Sequence, residues 1–129
     1  MSPQIELLQL LVDTAEKNCS LTGKISLDEL PEGNGIYAEV GEGLIEAAYF
    51  DKSAIKKIPV LLMCRDTDQS RCVGQLSSIC NYFQHLKHYP QGETFSWINA
   101  ETGKEPFKTG RDEDGKYRYS CIINCKIYN

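Results

Sequence analysis

The sequence predicts an α+β fold, in which an N-terminal helix and one long central helix pack on a mostly antiparallel or mixed β-sheet. Three patterns lead to this class: an apolar stripe at helical spacing over residues 66–89, an apolar run over residues 59–64 and a period-two alternation over residues 117–128. An amphipathic helix needs an apolar surface to cover, and the strands on either side of it supply one.

Length and composition limit the class of protein. The 129 residues, with 41% apolar and 25% charged side chains, suit a single soluble domain with its own core. The net charge of −4 argues against nucleic acid as the main partner, since phosphate binding usually requires a basic surplus. Residues 5–12 do not resemble a signal peptide, and no stretch reaches transmembrane length, so we expect no membrane partner. The six cysteines are expected to be reduced thiols in an intracellular compartment.

The N-terminal helix is predicted over residues 3–18. Ser2 can cap it, and Pro3 suits a first helical position. Leu7 and Leu10 lie beside the main apolar stripe and widen it. Such breadth fits a well-buried helix or one that also contacts a neighbouring subunit, so Leu7 and Leu10 are candidate interaction residues.

The middle of the chain predicts three strands. Residues 35–40 and 44–50 are β-rich runs separated by Gly41-Glu42-Gly43, a pattern typical of a β-hairpin. A phosphate-binding loop is the alternative, but no helix pattern or lysine follows it as phosphate binding would require. Residues 59–64 are apolar at successive positions, which predicts a central strand covered on both faces.

A polar bend is predicted over residues 51–57, between the second and third of these strands. It carries Lys52, Lys56 and Lys57. A solvated loop explains these lysines, and a contact patch is the alternative, which makes Lys56 and Lys57 candidate interaction residues.

The long central helix is predicted to span residues 66–89. Asp66 and Asp68 offer acceptors to the free amides of its first turn. Pro90 lacks the amide that would continue the helix, so the predicted end is Tyr89.

The last third of the chain predicts further strands and one loop. Short strands are expected at residues 95–100 and 107–109 with a turn at 103–106, and a long strand is expected at 117–128. Residues 110–115 predict an exposed acidic loop, and its three carboxylates are candidate interaction residues: Asp112, Glu113 and Asp114.

No catalytic site, metal site or cofactor is predicted. Cys121 and Cys125 are four residues apart on a strand, which separates them by about 13 Å, and no Cys-x-x-Cys pair is present for zinc. His85 and His88 could face a ligand, but the dipole at a helix end also favours histidine there. Cys64 has no general base that the sequence identifies. We therefore expect that the chain is not an enzyme.

Five segments, taken in order and spacing, carry a resemblance to a known family. They are Leu30-Pro31 before Gly35-Ile36-Tyr37, the strand from Gly43-Leu44-Ile45 to Phe50-Asp51, Ile58-Pro59-Val60-Leu61-Leu62, Leu76-Ser77-Ser78-Ile79-Cys80-Asn81-Tyr82-Phe83, and Tyr117-Arg118-Tyr119-Ser120. This pattern resembles the minor capsid, or tail terminator, proteins encoded in the head-tail gene block of long-tailed bacteriophages and prophages. The likeness covers residues 30–128, and the N-terminal helix agrees in type but not in motif.

The resemblance implies a structural protein of the virion that is made in the cytoplasm of the bacterial host. Such proteins form a ring, commonly a hexamer, which binds the end of the tail tube protein, stops tail polymerisation and meets the head connector or completion protein. DNA then passes through the lumen of the ring without specific binding. Acidic loops containing Asp112, Glu113 and Asp114 could line that lumen and repel phosphate.

Two other classes of function stay open. A small ligand-binding domain or enzyme would need a pocket with convergent polar groups, for example around Cys64, His85 and Trp97. A nucleic-acid module would need a basic stripe with salt-sensitive binding. The lysines that could form such a stripe are Lys52, Lys56, Lys57, Lys87 and Lys104.

Overall fold

The computed structural model of the chain describes residues 2–129 and has the α+β architecture that the sequence predicts. Its mixed sheet has six strands, and two helices accompany it. In chain order the elements are α1 (Pro3–Asn18), β1 (Ile25–Ser26), β2 (Gly35–Val40), β3 (Leu44–Ala48), β4 (Ala54–Asp66), α2 (Gln69–Gln84), β5 (Ser96–Arg111) and β6 (Tyr117–Tyr128).

The sheet is built around β4 and β6, which pair antiparallel along twelve register positions from Ile55↔Tyr128 to Asp66↔Tyr117. The strand order is β1-β2-β4-β6-β5, and β3 pairs with β4 beside β2. All of these pairs are antiparallel except β1 with β2, which is parallel and makes the sheet mixed. The two-residue β1 is not a feature that the sequence pattern predicts.

The predicted hairpin between β2 and β3 is wrong. Both strands pair with β4 instead, as Val40↔Val60 and Leu44↔Lys57 show. The amide of Gly41 donates to the carbonyl of Pro59 at 2.8 Å, so the glycine segment carries the chain onward along β4 and does not reverse it. At 13 residues β4 is long enough to accept both strands on one side.

The true hairpin joins β3 to β4, and its turn is shorter than the predicted polar bend. The strand begins at Ala54, so Lys56 and Lys57 belong to β4 and only residues 49–53 form the turn. Lys52 adopts a left-handed conformation there, with a φ of 74°.

Helix α1 has the predicted bounds, with the Ser2 hydroxyl accepting from the Ile5 amide. Helix α2 is shorter than predicted and, at 16 residues, no longer than α1. The Asp68 side chain caps it, which leaves Asp66 in β4. At the other end the Tyr89 hydroxyl donates to the Phe83 carbonyl at 2.8 Å, replacing the amide that another helical turn would supply. Within residues 2–129, neither helix combines the length and apolar character needed to cross a bilayer.

Strand β5 replaces the predicted series of strand, turn and strand. It runs through the expected turn at residues 103–106 and ends at Arg111. Its pairing with β6 shifts register at four places, which disrupts the side-chain alternation that a sequence pattern relies on. Strand β6 matches the prediction in its bounds and in its inward face, although Tyr117 is only half-buried.

Both helices lie on one face of the sheet, α1 against β2 and α2 against β4, β5 and β6. Alternate β4 residues, from Ile58 to Cys64, point into this core, while Pro59, Leu61 and Met63 are half-buried on the other face. The prediction that β4 is covered on both faces is therefore wrong within the described chain. The largest fully buried apolar side chains are Phe83, Leu7, Leu11, Ile58, Leu62, Leu76, Ile79, Ile123, Ile127 and Val60.

Candidate interaction surface

The β3–β4 hairpin carries the most exposed apolar side chains of the described residues. Leu44 and Ile45 are 55% and 63% exposed, and Phe50, in the turn, is fully exposed at 108%. Tyr49 and Tyr128 lie nearby and are also exposed. Apolar groups clustered in this way are typical of an interaction surface.

Hydrogen bonds fix the turn, which we call the hairpin tip (residues 49–53). The Tyr49 amide donates to the Ser53 carbonyl at 2.9 Å, and the Ser53 amide donates to Asp51 Oδ1 at 3.0 Å. The Tyr128 hydroxyl donates to Ser53 Oγ at 2.9 Å, which ties the tip to the end of β6. Hydrogen bonds from the Ser53 hydroxyl and amide also lower the pKa of Asp51, so this carboxylate is charged at neutral pH.

The edge strands β5 and β3 differ in how well they resist pairing with another strand. Strand β5 carries Lys104, Pro106 and Lys108 and four irregularities, devices that hinder strand addition. Lys104 also lies over the ring of Phe107, with its Nζ 5.7 Å from the ring centroid. Strand β3 carries mainly apolar and small residues and one irregularity, so its outer edge is the less protected of the two.

A cleft of about 330 Å³ lies at the base of the hairpin. Gly41 and Gly43 border it and lie close against β4: a Cβ there would meet the Pro59 ring at 3.1 Å and Ile58 at 3.3 Å, respectively. Lys56 stands at this cleft and donates to Asn129 Oδ1 at 2.9 Å. We call it the β3 cleft, and its lining residues are Gln4, Gly41, Gly43, Leu44, Ile45, Lys56 and Ile58.

The sheet face away from the helices, here called the open face, has a half-buried apolar centre of Pro59, Leu61, Met63 and Ile122. Two cross-strand pairs of like charge lie above and below this centre. They are Arg65↔Arg118 and Lys57↔Lys126. Because like charges directly opposite one another destabilise a sheet, each pair requires an acidic neighbour.

Asp112 and Glu46 supply those acidic neighbours. Asp112 lies 2.9 Å from Arg65 Nε and 2.8 Å from Arg118 Nε, and Glu46 lies 3.2 Å from Lys126 Nζ. Asp114 pairs with Lys116 at 2.6 Å. Among residues 2–129, Glu113 is the one carboxylate of the predicted acidic loop with no ion pair, so the loop is less negative than its sequence suggests.

The remaining candidate interaction residues occupy different surroundings. Leu7 is fully buried in the subunit's own core, so its side chain has no surface to offer a neighbour in this structure, whereas Leu10 is half-buried. Lys56 and Lys57 are consecutive residues of β4 and therefore point to opposite faces of the sheet. A single basic stripe through both of them does not form.

The thiols and imidazoles do not converge on a site. Cys64 and Trp97 are buried in the core, whereas His85 caps α2 at the surface and its Nδ1 lies 2.9 Å from the Asn81 carbonyl. Burial raises the pKa of the Cys64 thiol, which keeps it protonated. Across residues 2–129 no three His, Cys, Asp or Glu side chains are grouped so as to hold a metal ion.

Sequence reasoning offered residues 51–57 as an alternative contact patch and named Lys56, which lies at the β3 cleft, but it did not identify the exposed apolar residues of the hairpin. The apolar run from Leu44 to Phe50 is visible in the sequence, but an apolar strand usually indicates core. Comparison with known proteins adds no assignment, because no family model matches the chain and no curated protein matches it in sequence.

Proposed function

We propose that this chain is a virion assembly protein of the tail terminator type, from a bacteriophage or prophage. In this role it binds the end of the tail tube, stops tail polymerisation and presents a surface to the head connector. The observation that supports a role in assembly is the concentration of exposed apolar side chains on the projecting β3–β4 hairpin. A surface of this kind suits contact with other protein subunits better than it suits binding a small reactant.

A ring of identical subunits requires two different patches that complement each other. The hairpin tip and the β3 cleft are two such patches, and Leu10 on α1 adds a half-buried apolar position. The less protected edge of β3 offers a further route, since an edge strand can accept a strand from another chain. These surfaces support the proposed ring.

The acidic loop fits the passage of DNA through such a ring. Glu113 is exposed and Asp114 is partly neutralised by Lys116, while Asp112 is engaged by two arginines. A few carboxylates facing the lumen would repel phosphate and let DNA slide without specific binding. On this proposal Glu113 contributes most of the repulsion from this loop.

The proposal is tested by negative-stain electron microscopy of the purified protein mixed with tail tubes. We expect a cap at one end of each tube and an arrest of tube growth. Two variants test whether capping depends on the hairpin or on any exposed aromatic residue. Phe50→Asp, in the hairpin, should abolish capping, whereas Phe107→Asp, on the β5 edge, should not. Tubes that stay uncapped at excess wild-type protein would contradict the proposal.

A further inference from the structure

We propose that neighbouring copies of this chain join by a tip-in-cleft contact, in which the aromatic tip of one hairpin occupies the β3 cleft of the next copy. The inference rests on the proposed function, because a ring is what requires a contact of this kind. The inference goes beyond the proposed function by naming the two surfaces in contact, the hairpin tip and the β3 cleft.

The hairpin tip presents an aromatic side chain that could insert into a cleft of another molecule. Phe50 is fully exposed, and the hydrogen bonds of Ser53 to Asp51 and Tyr49 hold the turn that presents it. A fixed turn loses little conformational entropy when it binds, which favours insertion over exposure to water. Burying a phenylalanine side chain contributes substantially to an interface.

The β3 cleft has room for that ring. A cavity of about 150 Å³ suffices to bind benzene, as is known for another protein. The β3 cleft is larger, at about 330 Å³. Leu44, Ile45 and Ile58 are apolar lining residues, and Ile45 points to the same side of the sheet as Lys56, its partner in β4. Gly41 and Gly43 add no side chain to the lining.

A subunit cannot fill its own cleft with its own tip. Leu44 and Ala48 are the first and last residues of β3, about 13 Å apart, and Phe50 lies beyond Ala48 in the turn. The occupant must therefore come from another molecule, and a second copy supplies a matching group at equal concentration.

Charges on the two surfaces favour this occupant. Asp51 follows Phe50 in the tip, and one of its carboxylate oxygens accepts from Ser53. Lys56 lies at the cleft and uses one ammonium hydrogen on Asn129. Seating Phe50 in the cleft would bring the Asp51 carboxylate towards the Lys56 ammonium, an attractive pairing at the rim of an apolar contact.

Because the tip and the cleft are different surfaces, the contact is heterologous. Each copy uses its tip on one neighbour and its cleft on the other. Such a contact continues around a ring when the rotation closes, and it does not produce a two-fold dimer.

Mixed disulfide cross-linking of full-length protein tests the contact. In a Cys19→Ser background, one variant carries Asp51→Cys and the other carries Lys56→Cys, and the two are oxidised with copper phenanthroline at high concentration. We expect the mixture to give a cross-linked heterodimer in several-fold higher yield than either variant alone. Circular dichroism of each variant verifies that it is folded.

Two controls define the specificity of the cross-link. Adding Ile45→Lys to the Lys56→Cys chain places a charged side chain on the cleft side of β3, opposite Lys56, and should remove the heterodimer. Lys108→Cys, on the protected β5 edge, should give no heterodimer with Asp51→Cys. A mixture that gives no more product than the single variants overturns the inference, and so does an equal yield with Lys108→Cys.

A third variant separates the contact from simple edge pairing. If two β3 strands paired about a two-fold axis at Ala47, then Ala47→Cys alone would cross-link and the mixed variants would not, which overturns the inference. The experiment needs no tail tube. If tail tubes are capped but no heterodimer forms, the tip-in-cleft contact is wrong and the proposed function stands. If the heterodimer forms but tubes are not capped, the contact stands and the proposed function is wrong.

Discussion

The guanidinium of Arg71 holds both carboxylate oxygens of Asp66, with Nε–Oδ2 and Nη2–Oδ1 distances of 2.8 Å. Asp66 is the last residue of β4 and is 1% exposed, and Arg71 lies in the first turn of α2. The Asp68 amide donates to the same carboxylate at 2.9 Å. This two-point contact fixes the angle at which the chain leaves the sheet and enters the helix.

Asp66→Asn should lower the free energy of unfolding by about 2 kcal/mol, because a buried amide cannot accept from Arg71 at both positions. Asp68→Asn is the matched control, since asparagine caps a helix as well as aspartate does. Urea unfolding at neutral pH measures both variants. Equal losses in the two variants would contradict the special role of the Asp66 carboxylate.

The stabilisation from Asp66 should depend on pH. Hydrogen bonds from Arg71 hold the pKa of Asp66 below its usual range. A carboxyl group whose pKa is lowered on folding stabilises the protein above the unfolded pKa of about 3.9, and this contribution is lost as the pH falls through the lower folded value. The difference in stability between wild type and Asp66→Asn should therefore shrink below pH 4. A difference that stays constant from pH 7 to pH 2 would count against the assignment.

Phe83→Ala should destabilise the protein by about 3 to 5 kcal/mol, as truncation of a fully buried aromatic residue does. The Phe83 and Trp97 rings stack with their centroids 5.7 Å apart, and the Tyr89 ring also stacks on Trp97, with a centroid distance of 5.2 Å. Because Trp97 is the chain's one tryptophan, its emission reports on this packing. We expect a red shift with the lost stability, and a smaller loss for the half-buried Tyr82→Ala.

The fold class, the first helix and the last strand could be predicted from the sequence because each depends on a local pattern of side chains. Helix α1 and strand β6 keep one period throughout, so side-chain alternation alone gives their bounds. The pairing of β3 cannot be predicted in this way, because it depends on β4 being long enough to pair with both β2 and β3. Glycines 41 and 43 look like a hairpin turn in sequence, although here they connect two collinear strands.

The candidate surface was harder to predict, because exposure is not encoded by residue type. Leu44 and Leu62 are both apolar strand residues, yet one is 55% exposed and the other is fully buried. The difference arises because α2 covers part of β4 while neither helix contacts β3 substantially. The ion pairs of Asp112 also join residues distant in sequence, so the loop's true charge was not apparent.

The native protein should show one reactive thiol among its six cysteines. Cys19 is half-buried, and the other five are buried. Burial raises the pKa of the Cys19 thiol, so its reaction with Ellman's reagent should be slow at neutral pH and should quicken as the pH rises. Cys19→Ser should remove this phase, and denaturant should release the five others. Several thiols reacting at one rate in the native state would contradict the burial pattern.

Two substitutions of the acidic loop should behave differently. Asp112→Asn removes the charge between Arg65 and Arg118, whose guanidiniums would then face each other across paired strands. The Nε atoms of both arginines lack an aligned hydrogen bond, so the loss is mainly of charge attraction and should amount to about 1 kcal/mol. Because Asp112 and Arg65 are half-buried, salt screens this attraction only in part, and the loss should decrease modestly as salt is raised.

Glu113→Gln removes the same unit of charge from the same loop without breaking an ion pair among the described residues. Its stability should therefore match wild type in urea unfolding, which makes it the clean probe of the proposed repulsion of DNA in the lumen. We expect phage particles carrying Glu113→Gln to assemble normally and to release DNA more slowly. Unchanged release from Glu113→Gln, together with the predicted instability of Asp112→Asn, would indicate that the loop acts in the fold alone.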